Sequence, residues 1–234
     1  MVTGASRGIG RAIAETLGNE GFALTLSARK PQTLDPTARE LRERGFEIES
    51  LAADVADEDG IRRLVALHRE RFGRLDVLVN SAGIGIGAAV DEQRTSDVDR
   101  QFDVNVRAII VAYRESLDLL RAAGAEHGNA LVVNMASVAG KCPQPWLSVY
   151  AATKAAVIAY THAMNKELNA DGIKSVALCP GFVDTDMTDF AKDEIPADAM
   201  LRTTDIAESL RFLLRVSPAC VVPEIVFQRP GEAI

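Results

Sequence analysis

Tyr150 and Lys154 stand four residues apart, and Ser137 stands 13 residues before the tyrosine. A spacing of four puts Tyr150 and Lys154 on one face of a helix. An ammonium beside a phenol favours the phenolate and lowers its ordinary pKa of about 10. Such a phenol gives a proton to a carbonyl oxygen or takes one from an alcohol, and a serine hydroxyl nearby can hold the same oxygen. Taken alone, a tyrosine and a lysine at this spacing are the ordinary side of a helix.

A second group with chemistry in it opens the chain: Thr3, Gly4, Ala5, Ser6, Arg7, Gly8, Ile9 and Gly10, where a strand turns into a helix. Gly4 permits a tight turn, Gly8 lets a pyrophosphate reach the backbone, and Gly10 lets the helix pack close to the sheet. The positive end of that helix faces the phosphates. With Ser6, Arg7 and Ile9 completing the loop, the pattern predicts a dinucleotide ligand. Folds that hold NAD place an acid about 20 residues further on, against the ribose 2′-hydroxyl. Here the second strand ends Leu26, Ser27, Ala28, Arg29, Lys30, without an acid. Arg29, with Arg7 nearby, suits a 2′-phosphate that a carboxylate would repel, so NADP(H) is expected over NAD(H). Asp54, followed by Val55, ends the third strand. Its carboxylate can accept from the adenine amino group or cap the next helix, for which Asp57 is the better candidate.

Elements must position these groups. Short apolar runs at 22–28, 48–54, 75–83, 130–137, 173–181 and 221–228 read as strands. Helical patterns run at 11–21, 35–45, 57–73, 96–124, 148–172 and 205–217, the second opening at Asp35 and Pro36 and stopping at Gly45. Alternating strands and helices predict parallel strands joined by right-handed crossovers. The expectation is an α/β chain with one domain over 1–234, a doubly wound parallel sheet of about seven strands with helices on both faces. Only Met1 and Val2 precede the start of the glycine turn, so the central strand is expected to be two residues long and to need residues upstream. A β-forming leader should then raise the melting temperature.

The ordered set Thr3-Gly4-x-x-x-Gly8-x-Gly10, Asn80-Ser81-Ala82-Gly83, Asn105, Ser137, Tyr150-x-x-x-Lys154 and Pro180-Gly181 resembles the short-chain dehydrogenase/reductase family over residues 2–228. The resemblance implies a Rossmann-type fold and hydride transfer between a nicotinamide and a small carbonyl or secondary alcohol. It implies Tyr150 as acid/base, Lys154 on the nicotinamide ribose, Ser137 on the substrate oxygen, and Asn105 holding a water in a proton relay. Asn80, Ala82 and Gly83 would steady the sheet and pass beside the adenosine ribose. Val183 and Thr185, after Pro180 and Gly181, would hold the nicotinamide amide. Two departures stand out. Ser81 occupies a place where the family often has a second asparagine, and 222–231 lacks the Thr-Gly and Asp-Gly-Gly pattern of many fatty-acid-type reductases. The other reading is a non-catalytic dinucleotide sensor on the same fold. Such a protein has no chemical use for Asn105, Ser137, Tyr150 and Lys154 together.

The remaining composition narrows partners and setting. Lys and Arg number 26 against 33 Asp and Glu, a net charge of −7, which argues against nucleic acid or an anionic membrane as the main partner. Cys142, Cys179 and Cys220 show no metal-ligand spacing and read as free thiols in a reducing, cytoplasmic setting. No metal site is expected. No run of about 20 apolar residues exists to span a membrane. The loops at 84–87, 138–146 and 182–200 are expected to set specificity, with Trp146, Phe182, Met187, Phe190 and Met200 favouring an uncharged or weakly polar carbonyl compound. The stretch 186–204 is expected to close as a lid. Apolar residues on several faces of the two long helices predict a homodimer or homotetramer.

Overall fold

The computed structural model describes residues 1–232. Seven parallel strands form one sheet in the order β3-β2-β1-β4-β5-β6-β7. They are β1 (Val2–Thr3), β2 (Leu24–Ala28), β3 (Ile48–Ala52), β4 (Val77–Asn80), β5 (Ala130–Met135), β6 (Ile173–Pro180) and β7 (Glu224–Phe227). The helices are α1 (Gly8–Asn19), α2 (Pro31–Glu43), α3 (Glu58–Phe72), α4 (Thr95–Phe102), α5 (Ala108–His127), α6 (Ser148–Leu168) and α7 (Thr203–Arg215). Every residue of β2, β4, β5 and β6 is buried, polar ones such as Thr25 and Asn134 included, as in a parallel sheet covered on both faces. On one face of the sheet Ile13 and Leu17 of α1, Leu34 and Leu41 of α2, and Ile206 and Leu210 of α7 form the core. On the other, Ile61 and Leu64 of α3, Ile109 and Leu120 of α5, and Val157 of α6 do so.

The first strand is two residues long as expected, but it is Val2 and Thr3 rather than Met1 and Val2; it pairs to both neighbours, with Val2 opposite Leu26 and Val79. Met1 carries the pairing toward β4, its carbonyl accepting from Val79 N at 2.8 Å and its ammonium donating to Val77 O at 2.7 Å.

Two helices depart from expectation. The second begins at Pro31, four residues before Asp35, and Pro36 lies inside it. Leu34, Ala38 and Leu41 form one buried stripe at helical spacing, so burying Leu34 draws the helix upstream. Pro31 takes the first helical position, where its missing N–H costs nothing. The long stretch at 96–124 is not one regular helix. A five-residue π-helical segment, Asp103–Arg107, separates α4 from α5 and contains Asn105. The third helix is capped as read, Asp57 accepting from Asp59 N at 3.1 Å. Among the described residues, no helix is long and apolar enough to cross a membrane.

Candidate active site

A cleft of about 630 Å³ lies over the carboxyl ends of the strands. Gly4, Ser6, Arg7, Gly8, Ile9, Gly10, Arg29, Asp54, Val55, Ala82, Gly83, Ser137, Tyr150, Lys154, Pro180, Gly181, Val183 and Thr185 all border it, whereas Asn80 and Asn105 lie behind its wall. At the turn into α1, Gly4 takes a φ of +67°, and a Cβ on it would stand 2.8 Å from Ala82 N. A Cβ on Gly10 would stand 2.3 Å from Gly4 O, so the helix can approach the turn only as glycine. The first turn of α1 carries no acid and no side-chain cap. Its leading amides have no acceptor within the helix and open toward the cleft, the arrangement that binds phosphate.

Arg7 forms an ion pair with Asp186 across the mouth. Arg29 is exposed on the cleft wall. Lys30 instead gives its carbonyl to the start of α2, accepting from Thr33 N at 3.2 Å and Leu34 N at 3.1 Å. Asp54 accepts from Ala56 N at 3.0 Å and from Arg100 Nη2 at 2.7 Å. Burial would raise its pKa, but Arg100, Ala56 N and Arg29 together hold it below the usual carboxylate value. Arg100 belongs to α4, 46 residues from Asp54, and also borders the cleft. No local spacing signals it.

At the other end, Ser137 follows β5. Its hydroxyl accepts from Ala139 N at 3.1 Å and donates to Pro180 O at 3.4 Å. Tyr150 and Lys154 lie in the first turns of α6. Lys154 Nζ donates to Met135 O at 2.7 Å and lies 5.5 Å from the centre of the Tyr150 ring. Burial lowers the Lys154 pKa to about 8, against a small opposing pull from Cys179. Tyr150 departs from expectation: burial pushes its phenol up, and the Ser137 hydroxyl opposes that only in part. Removal of water from the phenol decides the direction of its shift.

Asn105 is fully buried in the π-helical segment. It donates to Thr153 Oγ1 at 3.0 Å. A Cβ on Gly83 would stand 3.5 Å from both Asn105 Oδ1 and Lys154 Nζ, so Gly83 is the spacer between them. Asn80 donates to Asn134 Oδ1 at 2.9 Å. Asn134, which sequence reasoning passed over, donates in turn to Tyr113 Oη and Thr161 Oγ1, each at 2.9 Å. Thr3 Oγ1 accepts from Ser81 N at 3.2 Å and Ala82 N at 3.3 Å, fixing the glycine turn to the end of β4.

The segment after β6 is clipped at its base. Val183 pairs with Leu201, and Asp184 N donates to Leu201 O at 2.8 Å. The protruding loop is therefore 184–200, and Thr203 and Thr204 already belong to α7 rather than to the expected lid. Lys192 donates to Asp184 at 2.9 Å and Asp189 at 2.8 Å, and Lys141 to Glu224 at 2.6 Å, so the lysines of the 138–146 and 184–200 loops are both spent on carboxylates.

A family model described as short chain dehydrogenase matches residues 1–195. A 3-oxoacyl-(acyl-carrier-protein) reductase of Staphylococcus aureus is 34% identical over 223 residues, 91% of this chain and 89% of that protein. An alcohol dehydrogenase from the archaeon Thermococcus sibiricus, solved with 5-hydroxy-NADP, superposes with a TM-score of 0.87 at 32% identity, covering 99% of this chain and 97% of its own. A 3-ketoacyl-(acyl-carrier-protein) reductase from Brucella melitensis, solved with NADH, gives 0.86 at 28% identity over 96% and 93% of the two chains.

Proposed function

The chain belongs to the short-chain dehydrogenase/reductase family, and on that premise we propose that it is an NADP(H)-dependent oxidoreductase acting on a small carbonyl compound or secondary alcohol. The observation that carries this reading is convergence: Ser137, Tyr150 and Lys154 border the same cleft that the glycine turn opens. The cradle suits a dinucleotide, because its close glycine contacts leave the amides at the start of α1 uncovered. Those amides, with Ser6 and Ile9, would hold the pyrophosphate. Arg29 and Arg7 would meet a 2′-phosphate, Asp54 and Val55 the adenine, Ala82 and Gly83 the adenosine ribose, and Pro180, Gly181, Val183 and Thr185 the nicotinamide amide.

Bound NADP(H) supplies or accepts the hydride. In the reducing direction, Ser137 holds the substrate oxygen and Tyr150 gives it a proton. The raised phenol pKa keeps that proton in place until it is needed. Lys154, anchored on Met135 O, binds the nicotinamide ribose and favours the phenolate left behind. Asn105, across Gly83 from Lys154, holds the relay that returns the proton, and Asn80 ties the wall behind it to β5. The spent lysines leave the apolar loop residues to receive an uncharged or weakly polar substrate. Three free cysteines fit a reducing, cytoplasmic setting. Phe102 and Ile110, each 40% exposed, support a homo-oligomer built on α4 and α5.

The test is NADPH consumption over a panel of ketones, aldehydes and quinones, with NADH and Tyr150→Phe beside it. Turnover should fall by about 100-fold or more in Tyr150→Phe while NADPH still binds. Binding without turnover over the whole panel would favour the sensor reading.

A further inference from the structure

Trp146 is the single tryptophan of the chain. Among the described residues it is also the only one other than glycine with a positive φ, at 56°. That conformation is strained for a bulky side chain and persists where the surroundings impose it. The surroundings here are specific. Ala88 N donates to Trp146 O at 2.8 Å. The indole lies against Gly87 so closely that a Cβ there would fall 1.9 Å from its Cε3. Phe190, from the 184–200 loop, meets the indole edge-to-face at 5.5 Å and 88°. Phe190 in turn packs on Phe182 at 6.4 Å.

An aromatic pair that only filled space between loops would be buried. Instead Trp146 is 48% exposed and Phe190 58% exposed, so each ring leaves apolar surface open. Neither residue borders the cleft itself, but one loop connects the pair to Tyr150. Two residues before Gly87, a Cβ on Gly85 would stand 3.4 Å from the Tyr150 ring. One short loop thus touches the Tyr150 ring at Gly85 and the Trp146 indole at Gly87, two residues apart.

We propose that Trp146 and Phe190 form an aromatic clamp that receives the non-reacting end of the substrate and selects carbonyl compounds bearing an aryl ring. The clamp prefers such a ring because aromatic faces and edges pair with each other, and Lys192 beside it is already paired with two carboxylates. The inference deepens the carbonyl-reductase reading and rests on it for the reacting end of the substrate.

The sole tryptophan lets binding be read apart from turnover. Acetophenone and butanone are titrated against the protein with NADP⁺ present, following tryptophan fluorescence, and both are assayed as substrates with NADPH. Acetophenone should quench saturably, and Phe190→Ala should weaken its midpoint roughly 10-fold, the scale of a lost aromatic pair. The acetophenone-to-butanone ratio of kcat/KM should fall by about the same factor in Phe190→Ala and Trp146→Leu, through KM. Circular dichroism checks that both variants fold. Quenching that never saturates, or a ratio that stays at the wild-type value in Phe190→Ala, overturns the clamp. Saturable quenching sensitive to Phe190→Ala, with no turnover of either ketone or of any other carbonyl in the panel above, supports the clamp and defeats the reductase reading instead.

Discussion

Asn105 and Ile84 exchange two hydrogen bonds: Ile84 N donates to Asn105 Oδ1 at 2.9 Å, and Asn105 Nδ2 donates to Ile84 O at 2.8 Å. Four residues earlier Gln101 repeats the pattern with Ile86, accepting from its N–H at 3.0 Å and donating to its carbonyl at 3.3 Å. Two side-chain amides on one helical face thus imitate a neighbouring strand and hold residues 84–86 beside the Tyr150 ring. The π-helical segment sits where Asn105 turns inward, a common setting for such a distortion.

Asn105→Ala should strip both backbone groups of Ile84 of their partner. We expect a stability loss of about 2–4 kcal/mol with a fall in turnover, and about 1–2 kcal/mol for the less complete Gln101→Ala. Denaturant unfolding of both variants measures this. A loss below about 0.5 kcal/mol for Asn105→Ala would show that the loop is held by something else.

Arg29→Ser should discriminate between cofactors. Loss of a charge-assisted contact to a 2′-phosphate raises the NADPH Kd roughly 10- to 100-fold, whereas NADH changes little. Calorimetric titration of both cofactors decides it. Equal weakening of the two would mean that Arg29 does not meet that phosphate.

His68 should make stability depend on pH. Its Nδ1 lies 2.8 Å from Thr25 Oγ1 and its Nε2 donates to Arg74 O at 3.0 Å, partners that a neutral ring satisfies with Thr25 as donor. Burial first, and the Met1 ammonium second, lower its pKa from 6.5 to about 4. Between these values the unfolded chain binds the proton and the folded chain does not. Stability is therefore complete above about pH 6.5 and is lost as pH falls toward about 4. Between about pH 7.5 and 5.8 this one group accounts for about 1 kcal/mol. Urea unfolding of wild type and His68→Gln at both values checks it, and an equal pH slope in the two would contradict the assignment.

The 184–200 loop should be the site of first proteolytic attack, since Met187 and Phe190 are about half exposed, at 49% and 58%. Saturating NADPH should slow cleavage at Lys192 by trypsin several-fold, because the Val183–Leu201 clip lets the loop move about a fixed base. Peptide mapping of the first cut reads the outcome, and a rate indifferent to NADPH would refute closure.

Much of the molecule was legible in its residues. Strand and helix periodicities placed most elements, though 96–124 read as one helix where the fold has α4, a π-helical segment and α5, and the glycine turn, Ser137, Tyr150 and Lys154 marked the two ends of one cleft. These are local properties: spacing decides which side chains share a face, and a strand buried on both faces is mostly apolar. Helix limits were less legible where burial overrode a local signal, as Leu34 did in moving the start of α2 from Asp35 to Pro31.

By itself, the sequence determined the alternation of strands and helices in one parallel sheet, the place of the glycine turn and the residue types that border the cleft at Ser137, Tyr150 and Lys154. Only the tertiary structure decided that Arg100 meets Asp54, that Asn134 joins Tyr113 and Thr161 behind Asn80, and that Val183 and Leu201 clip the lid. It also decided the sign of the Tyr150 shift, upward rather than downward. The reason is common to all of these. Each depends on which distant groups the fold brings together and on how much water it removes from them, and neither quantity is a function of spacing along the chain.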